Sequence, residues 1–276
     1  MKKILVWGFL AAILLASCSD KSSDKDKLMS DSSGAVLLND GKLKEKPNDE
    51  IIMKLLYGNY NGSVAVWNPK ETKVDKELTN FAEGEQLISK IILKETKTIQ
   101  GNESIIVVTQ SNIEGNDCRV CAPAIGAFIF TKKDSAWFCD TKNYYIGEIG
   151  SYGEAQEVKL IEVGQNTIGL LFEVTEMTQG YYYEGSIIYP FYKGRFVEAI
   201  NFQTLGNNNG ADEEQWSKEA KFKFIPNSNE EYYDLIIETT GNEFDENTNR
   251  IVNATKTVIY AFKDGKYRVV HELAQK

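Results

Sequence analysis

Four cysteines, one histidine and forty acidic residues bound the chemistry open to this 276-residue chain. Cys118 and Cys121 stand in "NDCRVCAP", a spacing that serves a redox dithiol, a metal clip or a small disulfide staple. A thioredoxin-like dithiol sits at a helix N-terminus, where the dipole lowers the thiol pKa. Here Pro123 follows at once and "AIGAFIF" enters a strand, so Arg119 alone is left to favour a thiolate. Zinc held by Cys118, Cys121 and Cys139 would need a fourth ligand, and His271 is the sole histidine. That histidine, in "RVVHELAQK", has no G-x-S-x-G elbow or other nucleophile context to serve. Paired-carboxylate hydrolysis stays open, but no spacing singles out one acidic pair.

Two further groups can bind. In "GNEFDENTNRI", Asp245, Asn247 and Asn249 alternate, so their oxygens can converge on Ca²⁺ where the loop turns sharply. Arg250 takes the glycine place of an EF-hand and Thr255 its twelfth position, which leaves a looser calcium loop or a solvated connection. The second group is aromatic: Tyr144-Tyr145, and Tyr181-Tyr182-Tyr183 after Gly180. Consecutive tyrosines on a strand point to opposite faces, so some face outward and offer contact area at low entropy cost. Such a surface suits a protein or glycan partner.

The chemistry of these groups depends on where the chain resides. Residues 1–17, "MKKILVWGFLAAILLAS", join a positive start at Lys2 and Lys3 to an apolar run from Ile4 to Ala16. That run is too short to span a bilayer, which takes roughly 20 apolar residues, and has the length of a signal-peptide core. It ends in Leu15-Ala16-Ser17-Cys18, two small residues before a cysteine. In this the chain resembles the bacterial lipoproteins, whose lipobox has that form. The resemblance implies a signal peptide over 1–17 and a Cys18 diacylated on sulfur and acylated again, as by palmitate, on its amine. Several acyl chains anchor far more firmly than one. Ser19 rather than Asp follows the cysteine, which by the enteric sorting rule implies the outer membrane, with either leaflet open. Outside the cytoplasm thiols oxidise, which favours a Cys118–Cys121 disulfide staple. Cys139 lies several residues along the next strand and is expected as a buried free thiol.

Removal of Lys2 and Lys3 takes the formal charge from −9 to −11, a surface that repels nucleic acid. Residues 18–49 follow the lipidated cysteine with Ser, Asp and Lys and no aromatic residue, the composition of a flexible tether. Only Ala35-Val36-Leu37-Leu38 interrupts it.

Residues 50–276 read as one all-β domain. A strand, a second apolar strand and an aromatic-flanked hairpin recur in three units, at about 90–139, 158–199 and 220–270. Asp264-Gly265 and Lys193-Gly194 supply the positive φ of two-residue hairpins. The element order resembles β-propeller blades, including the FG-GAP-like repeats, which implies a partial propeller; an antiparallel β-sandwich accounts for it equally. Residues 49–57, "DEIIMKLLY", set Ile51, Ile52, Leu55 and Leu56 on a helical stripe, capped by Asn48 or Asp49. The segment "KVDKELTNFAEGEQLISK" reads as helix or strand alike.

The expectation is a membrane-anchored envelope lipoprotein acting as a non-enzymatic binding or envelope-maintenance module. Its alternatives are an envelope enzyme, either a thiol–disulfide protein using Cys118 and Cys121 or a carboxylate-dependent hydrolase, and a structural assembly subunit.

Overall fold

A computed structural model describes residues 37–38, 42–72, 74–116, 118–208, 214–226, 230–245 and 247–274. The signal segment, Cys18 and most of the expected tether lie outside the described residues. No helix among those described is long and apolar enough to cross a membrane.

The described residues are antiparallel all-β with two short helices. Strands β1 (Leu37–Leu38) and β2 (Lys42–Leu43) lead into α1 (Asp49–Tyr57), β3 (Ala65–Trp67) and α2 (Lys76–Phe81). Four long strands follow: β4 (Leu87–Ile99), β5 (Asn102–Ile113), β6 (Ala124–Lys133) and β7 (Ala136–Glu148). Together the strands form a seven-stranded sheet in the order β1-β2-β7-β6-β5-β4-β3. The body therefore begins before residue 50. Leu43 is 2% exposed and pairs with Trp137, so one apolar residue docks the end of the lysine-rich segment.

A hairpin of β8 (Gly150–Ser151) and β9 (Glu154–Ala155) leads to the second sheet. That sheet runs through β10 (Glu157–Gly164), β11 (Thr167–Thr178), β12 (Tyr181–Tyr192), β13 (Arg195–Phe196) and β14 (Ile200–Asn207). It continues through β15 (Ser217–Ile225), β16 (Asp234–Asp245), β17 (Arg250–Asn253), β18 (Lys256–Lys263) and β19 (Lys266–Ala274). Its order is β10-β11-β12-β14-β15-β16-β18-β19, with β13 on β12 and β17 on β16. Lys193-Gly194 and Asp264-Gly265 both take paired positive φ, as their hairpins require.

The three repeating units do not stand apart as blades. The first lies in the seven-stranded sheet, while the second and third run edge to edge in the other, joined through β14 and β15. The two sheets face each other as a sandwich. Ile106, Val108, Ile125 and Ile129 from one meet Ile168, Leu170, Phe172 and Tyr189 from the other.

This layering explains why residues 104–111 and 124–131 are buried throughout rather than in alternation. Ile105, Val107, Phe128 and Phe130 on the opposite face of the first sheet pack beneath the helices. Strands buried on both faces read as continuous apolar runs. In α1, Asn48 Oδ1 accepts from Ile51 N at 2.9 Å, the expected cap. Its buried face is Ile52, Met53, Leu56 and Tyr57, turned slightly from the expected stripe because the Tyr57 ring packs on Trp67 at 4.9 Å. The ambiguous segment resolves into α2 followed by β4.

The ten-stranded sheet curls into a half-barrel around a third core of Leu171, Ile188, Phe222, Leu235 and Tyr267. One end of the curl is closed. The segment before β16 crosses back to β10, with Tyr233 N donating to Val163 O at 2.8 Å and Gln165 N to Glu231 O at 3.2 Å. The other end is formed by the opposite termini of the same strands.

Candidate functional site

Strand register brings several distant residues to this second end of the half-barrel. Tyr182 pairs with Asn207, Asn207 with Ser217, Lys218 with Gly241, and Asn242 with Asn253. The β11–β12 hairpin, the end of β14, the start of β15 and the β16–β17 pair therefore share one rim.

On that rim Tyr181 and Tyr183, two apart on β12, stack with ring centroids 6.4 Å apart and planes within 6°. The Trp216 ring lies 6.4 Å from one and 6.3 Å from the other. Trp216 is itself held by Asn208, whose Oδ1 accepts from Trp216 N at 3.2 Å while its Nδ2 donates to Glu214 O at 2.6 Å. Asn208 is buried, so this clasp is insulated from water. The Trp216 indole N–H is buried without a hydrogen-bond partner among the described residues. Tyr182 sends its hydroxyl to Glu184 Oε1 at 2.6 Å, and that carboxylate holds the hydroxyl pKa above its ordinary value.

The Cys118–Cys121 motif adjoins the same rim. The two cysteines are bridged, with S–S 2.06 Å, in the connection between β5 and β6. Their carbonyls grip the turn of the β8–β9 hairpin: Tyr152 N donates to Cys118 O at 3.1 Å and Gly153 N to Cys121 O at 2.8 Å. Gly153 O in turn accepts from Gln110 Nε2 at 3.1 Å, and Ala155 N donates to Gln110 Oε1 at 3.1 Å. Only glycine suits position 153, where φ is +71° and a Cβ would meet Asn116 O at 2.9 Å. From inside the disulfide loop, Arg119 donates to Met177 O on the other sheet. The guanidinium that could have favoured a thiolate is thus a link between sheets. Among the described residues no helix begins at Cys118.

This end of the molecule carries a concentration of exposed apolar side chains. Val120 is 86% exposed, Tyr152 58%, Met177 56%, Phe244 44% and Val252 36%. Arg119, Val120, Tyr152, Val174 and Met177 line a cleft of about 570 Å³ between the disulfide loop and β11. A second groove, of about 690 Å³, opens along the half-barrel past Glu173, Glu184, Ser186 and Phe222. Apolar groups scattered singly mean little, but Val120, Tyr152 and Met177 share one cleft.

The remaining sequence-derived residues lie elsewhere or serve local structure. Tyr144 belongs to the first core, edge-on to Phe128 at 5.2 Å, and donates to Leu56 O at 3.1 Å. Burial pushes its hydroxyl up to about 12. Tyr145 donates to Glu148 Oε1 at 3.0 Å and lines a cleft of about 460 Å³ with Asn143, Arg195 and Glu198. Asp245 turns its carboxylate onto its own hairpin, accepting from Asn247 N at 2.9 Å and from Thr248 Oγ1 at 2.8 Å. Those donors hold its pKa below the usual range. The alternation of Asp245, Asn247 and Asn249 thus closes a turn, with Asn249 at φ +53°. Among the described residues no three His, Cys, Asp or Glu gather as a metal-binding group.

Trp216 and the exposed apolar residues Val120, Tyr152, Met177, Phe244 and Val252 were passed over by sequence reasoning. Trp216 stands in a polar stretch with no alternation to mark it, and its partner Asn208 is eight residues away. The one signal was a tryptophan with no apolar neighbour. Compared with known proteins, the chain matches no protein-family model, no curated protein and no solved structure at a significant level.

Proposed function

We propose that this protein is a lipid-tethered recognition module of the cell envelope. Cys18 carries the acyl anchor in the outer membrane, and the aromatic and apolar rim engages a protein or glycan partner. The observation that carries this reading is the cleft that the exposed Val120, Tyr152 and Met177 line together, with Met177 paired to Tyr182 between the Tyr181 and Tyr183 rings that meet Trp216.

The position of the rim supports it. The lipidated segment reaches the body through β2, which pairs with β7 at Trp137. The disulfide loop adjoins the far end of that strand, where Gly147 pairs with Ile125. At ~3.3 Å per residue the two points are roughly 30 Å apart. An anchor at one pole leaves the other free for a partner.

Metabolic labelling with palmitate tests the anchor. Label is expected in the wild type and absent in Cys18→Ala, which moves to the soluble fraction. The double variant Met177→Asp/Phe244→Asp tests the rim: it keeps label and fold but loses co-purification with the envelope partner. Unchanged fractionation of Cys18→Ala, or undiminished co-purification of the rim variant, contradicts the proposal.

A further inference from the structure

Aromatic rings and carboxylates also gather at the end of the half-barrel opposite the rim, beside the turns at Lys193-Gly194 and Asp264-Gly265. There the Tyr232 and Phe262 rings stack with centroids 4.0 Å apart, and Tyr192 stands edge-on to them at 6.1 and 5.4 Å. The cluster is pinned in place. Tyr232 donates its hydroxyl to Phe191 O at 2.7 Å, and Glu231 O accepts from Gln165 N at 3.2 Å. The three rings wall a cleft of about 610 Å³.

Glu230, Glu231, Asp234 and Asp264 line the same cleft, against Lys263 alone among its described cations. Elsewhere on the strands carboxylates are matched by lysines, as Glu238 is by Lys223 at 2.8 Å and Glu272 by Lys256 at 3.2 Å. Among the described residues the four cleft carboxylates have no such partner. Two further observations point to a cation here. Lys193 Nζ lies 4.9 Å over the Tyr192 ring, so an ammonium already rests on this cluster. Behind the rings Tyr267, 6% exposed and paired with Phe262, has a buried hydroxyl with no partner among the described residues. Burial, then Tyr232 and Asp234, raises the pKa of that hydroxyl, which sets it toward the two cleft residues.

Ring faces and carboxylates together attract cations. A metal ion does not fit, because no three of the described carboxylates gather as a metal-binding group. Their charge is instead spread along the cleft between apolar ring surfaces. A cation with several ammonium groups joined by methylenes matches both features. We propose that this cleft binds a linear aliphatic polyamine, its methylenes on Tyr192, Tyr232 and Phe262 and its ammonium groups on the carboxylates. Neither the rim nor the lipid anchor takes part.

Calorimetric titration of the full chain in nonionic detergent with spermidine tests this, in about 0.15 M salt so that distant charges are screened. Saturable binding is expected, with the monoamine butylamine much weaker. Glu231→Gln/Asp234→Asn and, separately, Tyr192→Leu should each weaken spermidine by about 3- to 20-fold. Glu219→Gln/Glu243→Gln removes the same charge near the rim and should leave binding unchanged. Circular dichroism of each variant separates loss of the site from loss of fold. The proposal is overturned if spermidine does not bind, if either folded cleft variant binds as the wild type does, or if the two charge-removing pairs weaken binding equally. Displacement by Ca²⁺ at equal concentration also overturns it, and so does tighter binding of trilysine than of spermidine, which would indicate a basic protein segment.

Discussion

Desolvation governs the ionisable side chains of the interior. Cys139, on β7 opposite Phe130, is pushed up to about 12 by burial, so at pH 8 almost none of it is thiolate. With Cys118 and Cys121 bridged, the native protein should take up essentially no iodoacetamide at pH 8. After denaturation without reductant, intact mass should show one alkylated thiol, at Cys139. Rapid native labelling of two or three cysteines would mean that the bridge is open. The tyrosines obey the same physics. Burial raises the hydroxyls of Tyr57, Tyr144, Tyr189 and Tyr267 above the ordinary value. In the unfolded chain they ionise near ~10. The folded state therefore holds these protons more tightly, and the stability this brings is intact below pH ~10 and lost as pH rises above it. Absorbance of tyrosinate should show exposed rings titrating first and the buried set appearing only with unfolding. A single smooth titration of all fourteen tyrosines with the fold intact would contradict this placement.

Each local element answers to a few contacts. Asn48→Ala removes the α1 cap and should cost ~1 kcal/mol in chemical denaturation, with no other structural change. The disulfide closes so short a loop that its chain-entropy contribution is ~2 kcal/mol. Cys118→Ser/Cys121→Ser should therefore leave a folded protein in which the Tyr152 and Gly153 amides exchange hydrogen faster. Equal acceleration throughout β5 and β6 would show instead that the clasp holds the whole core. At this scale the sequence was informative wherever the determinant is local. The Asn48 cap, the glycine turns after Lys193 and Asp264, and the closing of Cys118 on Cys121 all lie within a few residues. β2 was hidden because its lysine-rich composition masks the one leucine that meets Trp137. The tyrosines were recognised as a class but not sorted, because the layers that bury Tyr144 and leave Tyr181 and Tyr183 on a rim come from distant strands.

At the scale of the whole molecule the arrangement depends on pairings across long separations, such as Tyr182 with Asn207 and Glu157 with Glu173. All-β character and repeated hairpins were legible from alternation. The joining of the second and third units into one curled sheet was not, since each hairpin pattern fits a separate blade equally well. The same long-range pairing places the rim toward the opposite end of β7 from β2, and the proposed function rests on that polarity. Photo-crosslinking in intact cells tests it most directly, with a photoreactive side chain in place of Tyr181, Met177 or Phe244 on the rim, or Lys193 at the opposite end. The account predicts a discrete adduct of the same mass from the three rim positions and none from Lys193. Equal adducts from both ends, or none from the rim, would contradict it.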